Sequence, residues 1–190
     1  MRERIITLFD DLDSSLVPIA NGETLDLYHI GRSALVWEYD YAATTRDIDV
    51  LVQGEPSGLL VDALHLFGRG SAKEVEHGLY LEAVNSALPP MAAGYRKRAK
   101  RFDHPWKVVR LYNLDPHDLA ASKLKRFAAK DREDIRQLCD RGLLESGKLQ
   151  ATLETAFYFH MEKDGNPDRD AAFAHLKHVQ EYLAGERSEF

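Results

Sequence analysis

Apolar residues at Ile5, Ile6, Leu8, Phe9, Leu12, Leu16 and Val17 recur with a helical period, which predicts a helix over 2–20 that Asn21-Gly22 ends. The pattern then changes to alternation. Leu25, Leu27 and His29 alternate with Asp26, Tyr28 and Ile30, giving a strand over 25–30, broken at Gly31-Arg32-Ser33, where a helix starts. A second strand covers 47–52, with Ile48, Val50 and Val52 on one face and Asp47, Asp49 and Leu51 on the other. Pro56 and Gly68 bracket a helix through Leu59, Leu60, Ala63, Leu64 and Phe67. Residues 75–84 read as a third strand interrupted at Gly78 by a hairpin or bulge, and 106–112 as a fourth. From Asp115 onward the periodicity is helical, over 115–129, 131–142, 146–162 and 168–184, with the clearest turn of the chain at 163–167.

The pattern predicts an α+β fold: a small mixed β-sheet core flanked by helices over 1–113, followed by an all-helical C-terminal half, 114–190, packed on it. The chain is 44% hydrophobic and 29% charged, as expected of a globular protein, and no apolar run approaches the length of a membrane span. The N-terminal residues mix acid and base without a signal-peptide core, so the cytoplasm is the expected location. Cys139 is the only cysteine, which excludes an intrachain disulfide and a cysteine-rich zinc site.

Charge changes the picture more than composition does. The net charge is −6, yet residues 94–132 carry twelve Lys and Arg against four Asp, or +8. That segment is either a solvated helix face or a flank that meets a triphosphate or RNA.

Asp47 and Asp49 stand two apart on a strand, so both carboxylates leave the same face. At roughly 6 Å and an effective dielectric of about 20, two such charges repel by about 3 kcal/mol, and a hard divalent cation offsets this. Upstream, Gly31-Arg32-Ser33 lies between a strand and a helix, where backbone N–H groups and the helix dipole favour a phosphate. Gly31 permits close backbone approach, and the Ser33 hydroxyl can reach a phosphate oxygen. Other signals are weaker. Asp10-Asp11-Leu12-Asp13 reads as a solvated helix face, and His175 and His178 have no third metal ligand at suitable spacing. Arg110 to His117 and Arg169 to His175 fit a loose ribonuclease spacing that recurs too readily to be informative. Tyr95, Phe102, Trp106 and Tyr112 interleave with bases as in RNA platforms, but core packing explains at least half of them.

The run His29-Ile30-Gly31-Arg32-Ser33-Ala34-Leu35 followed by Thr45-Arg46-Asp47-Ile48-Asp49-Val50-Leu51-Val52 resembles the Gly-Ser…Asp-x-Asp signature of the polymerase-β-like nucleotidyltransferases. Asp118-Leu119-Ala120-Ala121-Ser122-Lys123-Leu124 and Lys130-Asp131-Arg132-Glu133-Asp134-Ile135 resemble the downstream motif of the minimal branch that holds the AbiEii toxins and the DUF6036 proteins. The resemblance implies transfer of a nucleoside monophosphate from an NTP to a hydroxyl, with Mg²⁺ or Mn²⁺ held by Asp47, Asp49 and a third acid. Glu82 is the best positional match for that acid, with Glu74 and Glu76 as rivals whose other reading is an edge-strand surface pair. It implies that Gly31, Arg32, Ser33, Arg46 and Lys123 contact the nucleotide, with Asp134 orienting Lys123 or Arg126. At Arg32 the family usually has a second glycine, so this arginine either crowds or clamps the triphosphate. The acceptor implied is a tRNA or a protein, and the role that of a toxin with an antitoxin partner. An aminoglycoside-like acceptor and a catalytically silent binding module are the alternatives.

Overall fold

The computed structural model describes residues 1–39, 41–52, 55–85, 89–157 and 166–190. Two compact units make up the chain: Met1–Asn85 with Ala99–Leu114, and Ser86–Arg98 with Asp115–Phe190. The architecture is α+β, as the pattern predicts.

In the first unit α1 (Arg2–Leu16) turns Ile5, Leu8, Phe9, Leu12 and Leu16 inward, all fully buried. The predicted helix is longer by its last turn; Asn21 and Gly22, both at positive φ, reverse the chain into β1 (Leu25–Ile30). Next come α2 (Gly31–Tyr39), β2 (Asp47–Val52), α3 (Gly58–Phe67), α4 (Ala72–His77) and β3 (Tyr80–Asn85). After α5 (Tyr95–Arg98), β4 (Lys100–Arg101) and β5 (Val109–Asn113) finish a sheet of order β3-β2-β1-β5-β4. The sheet is mixed: β1 is antiparallel to β2 and parallel to β5, β2 is parallel to β3, and β4 is antiparallel to β5.

One face of the sheet carries the core, in which Leu25, Leu27, Ile48, Val50, Leu81 and Leu111 meet Trp37 of α2 and the apolar stripes of α1 and α3. Phe9 and Trp37, both with no exposed surface, pack edge to face at 6.3 Å. Alternation sends Tyr28, Asp47, Asp49, Glu82 and Tyr112 to the opposite face, where Tyr28 and Tyr112 stack at 5.0 Å.

The segment 75–84 corrects the third predicted strand. Its first part is α4, because Ser71 accepts the Glu74 N–H as an N-cap and Gly78 closes the helix in the left-handed region at φ 65. Val75, the apolar residue that suggested a strand, points to solvent at 86% exposure. Only Tyr80–Asn85 is extended. Asp10-Asp11-Leu12-Asp13 is not a solvated face either. Asp13 is buried and accepts backbone N–H groups from Lys107, Val108 and Val109, Asp10 accepts the Trp106 Nε1–H, and Asp11 pairs with Lys73 and His77. Lys107 and Val108, which lie ahead of β5, give their N–H groups to Asp13, and the ladder starts at Val109 rather than Trp106.

The second unit contains, besides α5, the helices α6 (Pro116–Leu124), α7 (Ala129–Asp140), α8 (Ser146–Phe157) and α9 (Pro167–Leu183). Asp115 and Asn166 cap α6 and α9 through their side chains. The predicted helix over 115–129 is divided, because Phe127 adopts φ 46 and its N–H returns to Lys123 O. Ala120 and Ala121 are fully buried, and α6 is the element that α7, α8 and α9 all pack against. The end of the helix predicted to 162 and most of the 163–167 turn lie outside the described residues.

Candidate active site

Strand pairing brings the acids together. Asp49 and Glu82 are register partners on the parallel strands β2 and β3, and Asp47 is opposite Tyr80. One carboxylate oxygen from each of Asp47, Asp49 and Glu82 lies within 4.8 Å of the others. Each residue is partly accessible. Thr45 donates its hydroxyl to Asp47 Oδ1, which fixes that carboxylate from the preceding loop. Arg69, in the turn between α3 and α4, spans Tyr80 and Glu82, donating to the Tyr80 hydroxyl and, at 3.3 Å, to Glu82 Oε2. Burial is the main cause that raises the Tyr80 phenol above its ordinary pKa; Arg69 opposes it, and the charges of Asp47 and Glu82 add to it. Neither Arg69 nor its role is visible in the sequence, because the contact depends on where the turn after α3 meets β3.

Gly31 opens α2 directly at the end of β1, at φ +77. A Cβ there would overlap Asp49 Oδ2, so the glycine makes room for a carboxylate of the acidic group. Ser33, in the first turn of α2, is fully buried. Its Oγ bonds His29 Nε2 at 2.8 Å, His29 Nδ1 meets Asn113 Oδ1 at 3.2 Å, and Asn113 Nδ2 donates to Glu38 Oε2 at 3.0 Å. Because the Asn113 amide N–H goes to Glu38, its carbonyl accepts from His29 Nδ1–H, and Nε2 then accepts the Ser33 proton. Complete burial lowers His29 to a pKa of about 4, against a smaller upward effect of the Asn113 bond, so the ring is neutral.

Arg46 is exposed and tied to Glu74 at 2.8 Å, and Glu74 also accepts the Gly70 N–H. Glu74 and Glu76 therefore sit on α4, not on a strand edge. Arg32 lies with its guanidinium 5.7 Å above the Tyr41 ring.

Lys123 and Asp134 belong to the second unit, where they form a buried pair at 2.9 Å, 7% and 2% exposed, so Lys123 is no surface lysine. Asp131 accepts two bonds of 2.7 Å from Arg126 and one from the Ala128 N–H. Burial pushes its pKa up, but the Arg126 bonds and the Lys123 and Arg126 charges outweigh this and hold it below the ordinary range. Much of the basic segment is neutralised within the protein: Arg98 forks onto Asp118, Lys125 meets Asp168, and Lys100 and Arg110 meet Glu38 and Asp26. His175 bonds Leu124 O.

A glycine opening a helix beside three gathered carboxylates is the arrangement that the signature implies. Residues 3–180 match the family described as "Nucleotidyltransferase of unknown function (DUF6036)". The chain belongs to that family. Membership assigns it to the nucleotidyltransferases in general and implies an NTP as substrate. No curated protein and no solved structure gave a match. Among the described residues no helix is long and apolar enough to cross a membrane.

Proposed function

We propose that this DUF6036 protein transfers a nucleoside monophosphate from an NTP to a hydroxyl of a tRNA or a protein, with release of pyrophosphate. The observation that carries the reading is the meeting of Asp47, Asp49 and Glu82 on adjacent strands, oxygens within 4.8 Å. Three hard oxygen donors on rigid strands suit Mg²⁺ or Mn²⁺, so Asp47, Asp49 and Glu82 are the residues that would hold the metal. When bound, the ion would polarise phosphoryl oxygens and acidify the acceptor hydroxyl.

The remaining work falls to the chain's own groups. Thr45 and Arg69 hold Asp47 and Glu82 in place. Gly31 leaves the Asp49 carboxylate its space, and the first N–H groups of α2, from Gly31 to Ser33, are offered to phosphate oxygens. Arg32 and Arg46 neutralise departing charge, while Lys123, held by Asp134, belongs to the second unit. The resemblance to the AbiEii toxins extends the proposal to a toxin with an antitoxin partner.

The test is incubation with each labelled NTP, Mg²⁺, and total tRNA, protein or an aminoglycoside. Label on a macromolecule, lost in Asp49→Ala at unchanged melting temperature, is the expected result. Label on the aminoglycoside alone moves the proposal to a small-molecule acceptor. NTP binding without transfer to any acceptor leaves a binding module. Growth arrest on expression of the parent, and not of Asp49→Ala, tests the toxin role.

A further inference from the structure

The turn that carries Arg69 is fastened on both sides. Gly68 forms a parallel bridge to Leu81, which extends the sheet by one residue beyond β3. It also gives its N–H to Leu64 O at 2.8 Å, and a Cβ on it would strike that carbonyl. Gly70 gives its N–H to Glu74 Oε2 at 2.6 Å. Arg69, between them, therefore stands beside Glu82, one step along from the Gly68–Leu81 bridge.

The two bonds of its guanidinium are unequal. Nη2 donates to the Tyr80 hydroxyl at 2.5 Å but to Glu82 Oε2 only at 3.3 Å, and the group lies 4.7 Å from the Tyr80 ring centroid. Tyr80 is buried, whereas the Glu82 side chain is 43% exposed. Tyr80 thus sets where the cation stands, and Glu82 is the partner that can turn away from it. Among the described residues no further bond ties the guanidinium, and 68% of the Arg69 side chain is exposed.

A fixed positive charge at the rim of an acidic group acts in opposite directions on two forms of the same ion. A free divalent ion is repelled by the guanidinium and must compete with it for Glu82. The same ion on a nucleoside triphosphate belongs to a complex whose phosphates outweigh the ion's charge, so the guanidinium attracts it. The phosphates also supply oxygen ligands, and the ion then depends less on Glu82.

We infer that Arg69 is a specificity-determining residue of the acidic group, which disfavours the free divalent ion and favours the ion that arrives on a nucleotide. This rests on the proposed function and adds to it an order of loading: the ion enters with the NTP rather than before it.

The experiment measures two affinities on the whole chain, freed of metal with EDTA and then of EDTA. Binding of Mn²⁺ alone is read from the paramagnetic resonance of the unbound ion. Binding of Mn²⁺ complexed with a nonhydrolysable analogue of each NTP is read by calorimetry. Arg69→Gln should bind Mn²⁺ alone about tenfold more tightly than the parent and the Mn²⁺–nucleotide complex several-fold less tightly. Arg69→Lys, which keeps the charge, should stay closer to the parent in both. The Arg69–Glu82 pair is exposed, so the variants should fold, and a melt checks them.

A residue that merely held Glu82 in place would, on removal, weaken both ligands. That result, an unchanged affinity for Mn²⁺ alone, or an equal gain for the nucleotide complex would overturn the inference. Absence of Mn²⁺ binding by parent and variant alike would overturn it together with the metal site. Transfer by the parent alongside equal Mn²⁺ affinities removes the inference and leaves the proposed function. The two opposite shifts in Arg69→Gln without transfer to any acceptor do the reverse.

Discussion

The Cα of Gly31 and the carboxylate of Asp49 adjoin so closely that a methyl group on the first would overlap Oδ2 of the second. The positive φ of 77° adds a conformational demand that few residues other than glycine meet. Gly31→Ala should therefore destabilise the protein by about 2–3 kcal/mol, and Asp49→Gly in the same chain should recover the steric part but not the φ part. A double-mutant cycle of thermal melts reads the coupling; strictly additive effects would mean that the two residues do not share this space.

Asp47, Asp49 and Glu82 repel one another when no cation is present. Asp49→Asn, in metal-free buffer, should melt at or above the parent temperature, the relief being on the order of 1 kcal/mol for partly accessible groups. Adding Mn²⁺ with a nonhydrolysable NTP should raise the parent's melting temperature and leave the variant's nearly unchanged. A parent indifferent to metal and every NTP would return the three acids to a structural role.

His29 must be neutral to occupy its site. Its folded pKa of about 4 is below the 6.5 of an exposed ring, so between these values the unfolded chain binds the extra proton. The stability from a neutral His29 is complete above pH 6.5 and is lost as pH falls towards 4, by about 3 kcal/mol in all. Denaturant melts at pH 7, 5.5 and 4 should show this slope, and His29→Gln should flatten it at some cost in stability at pH 7.

Arg98 and Asp118 form a forked pair of 2.9 and 2.7 Å, with the Asp118 side chain fully buried. Burial raises the Asp118 pKa and Arg98 opposes the rise. Arg98→Ala should cost about 3 kcal/mol at pH 7, and Arg98→Lys should recover little because an ammonium cannot fork. With the carboxyl raised further in the variant, its deficit should shrink as pH falls through the carboxylate range. A deficit independent of pH would point to lost packing instead.

Where one face of an element met the core, the pattern of residues was enough. β2 alternates cleanly, so the shared face of Asp47 and Asp49 was legible, whereas Glu82 came from the resemblance alone, as the best positional match for a third acid. The stretch around Val75 misled because its apolar residue is exposed; the Ser71 cap and Gly78 turn carried the better signal. Asp13 could not be read as buried, since the three N–H groups that satisfy it lie more than ninety residues further along. The links of Arg69 to Glu82 and of His29 to Asn113 were hidden for the same reason: they join segments that only the folded sheet brings together.

The strand order β3-β2-β1-β5-β4 has a consequence for synthesis. Until residues 109–113 leave the ribosome, β1 has β2 on one side and an open row of backbone donors and acceptors on the other. The Asp13 carboxylate waits equally long for its amides. A nascent chain that has emerged only to a point before residue 114 thus exposes an edge apt to pair with another chain, and ribosome-arrested lengths that hold residues 109–113 inside or outside the exit tunnel should differ sharply in aggregation and protease resistance.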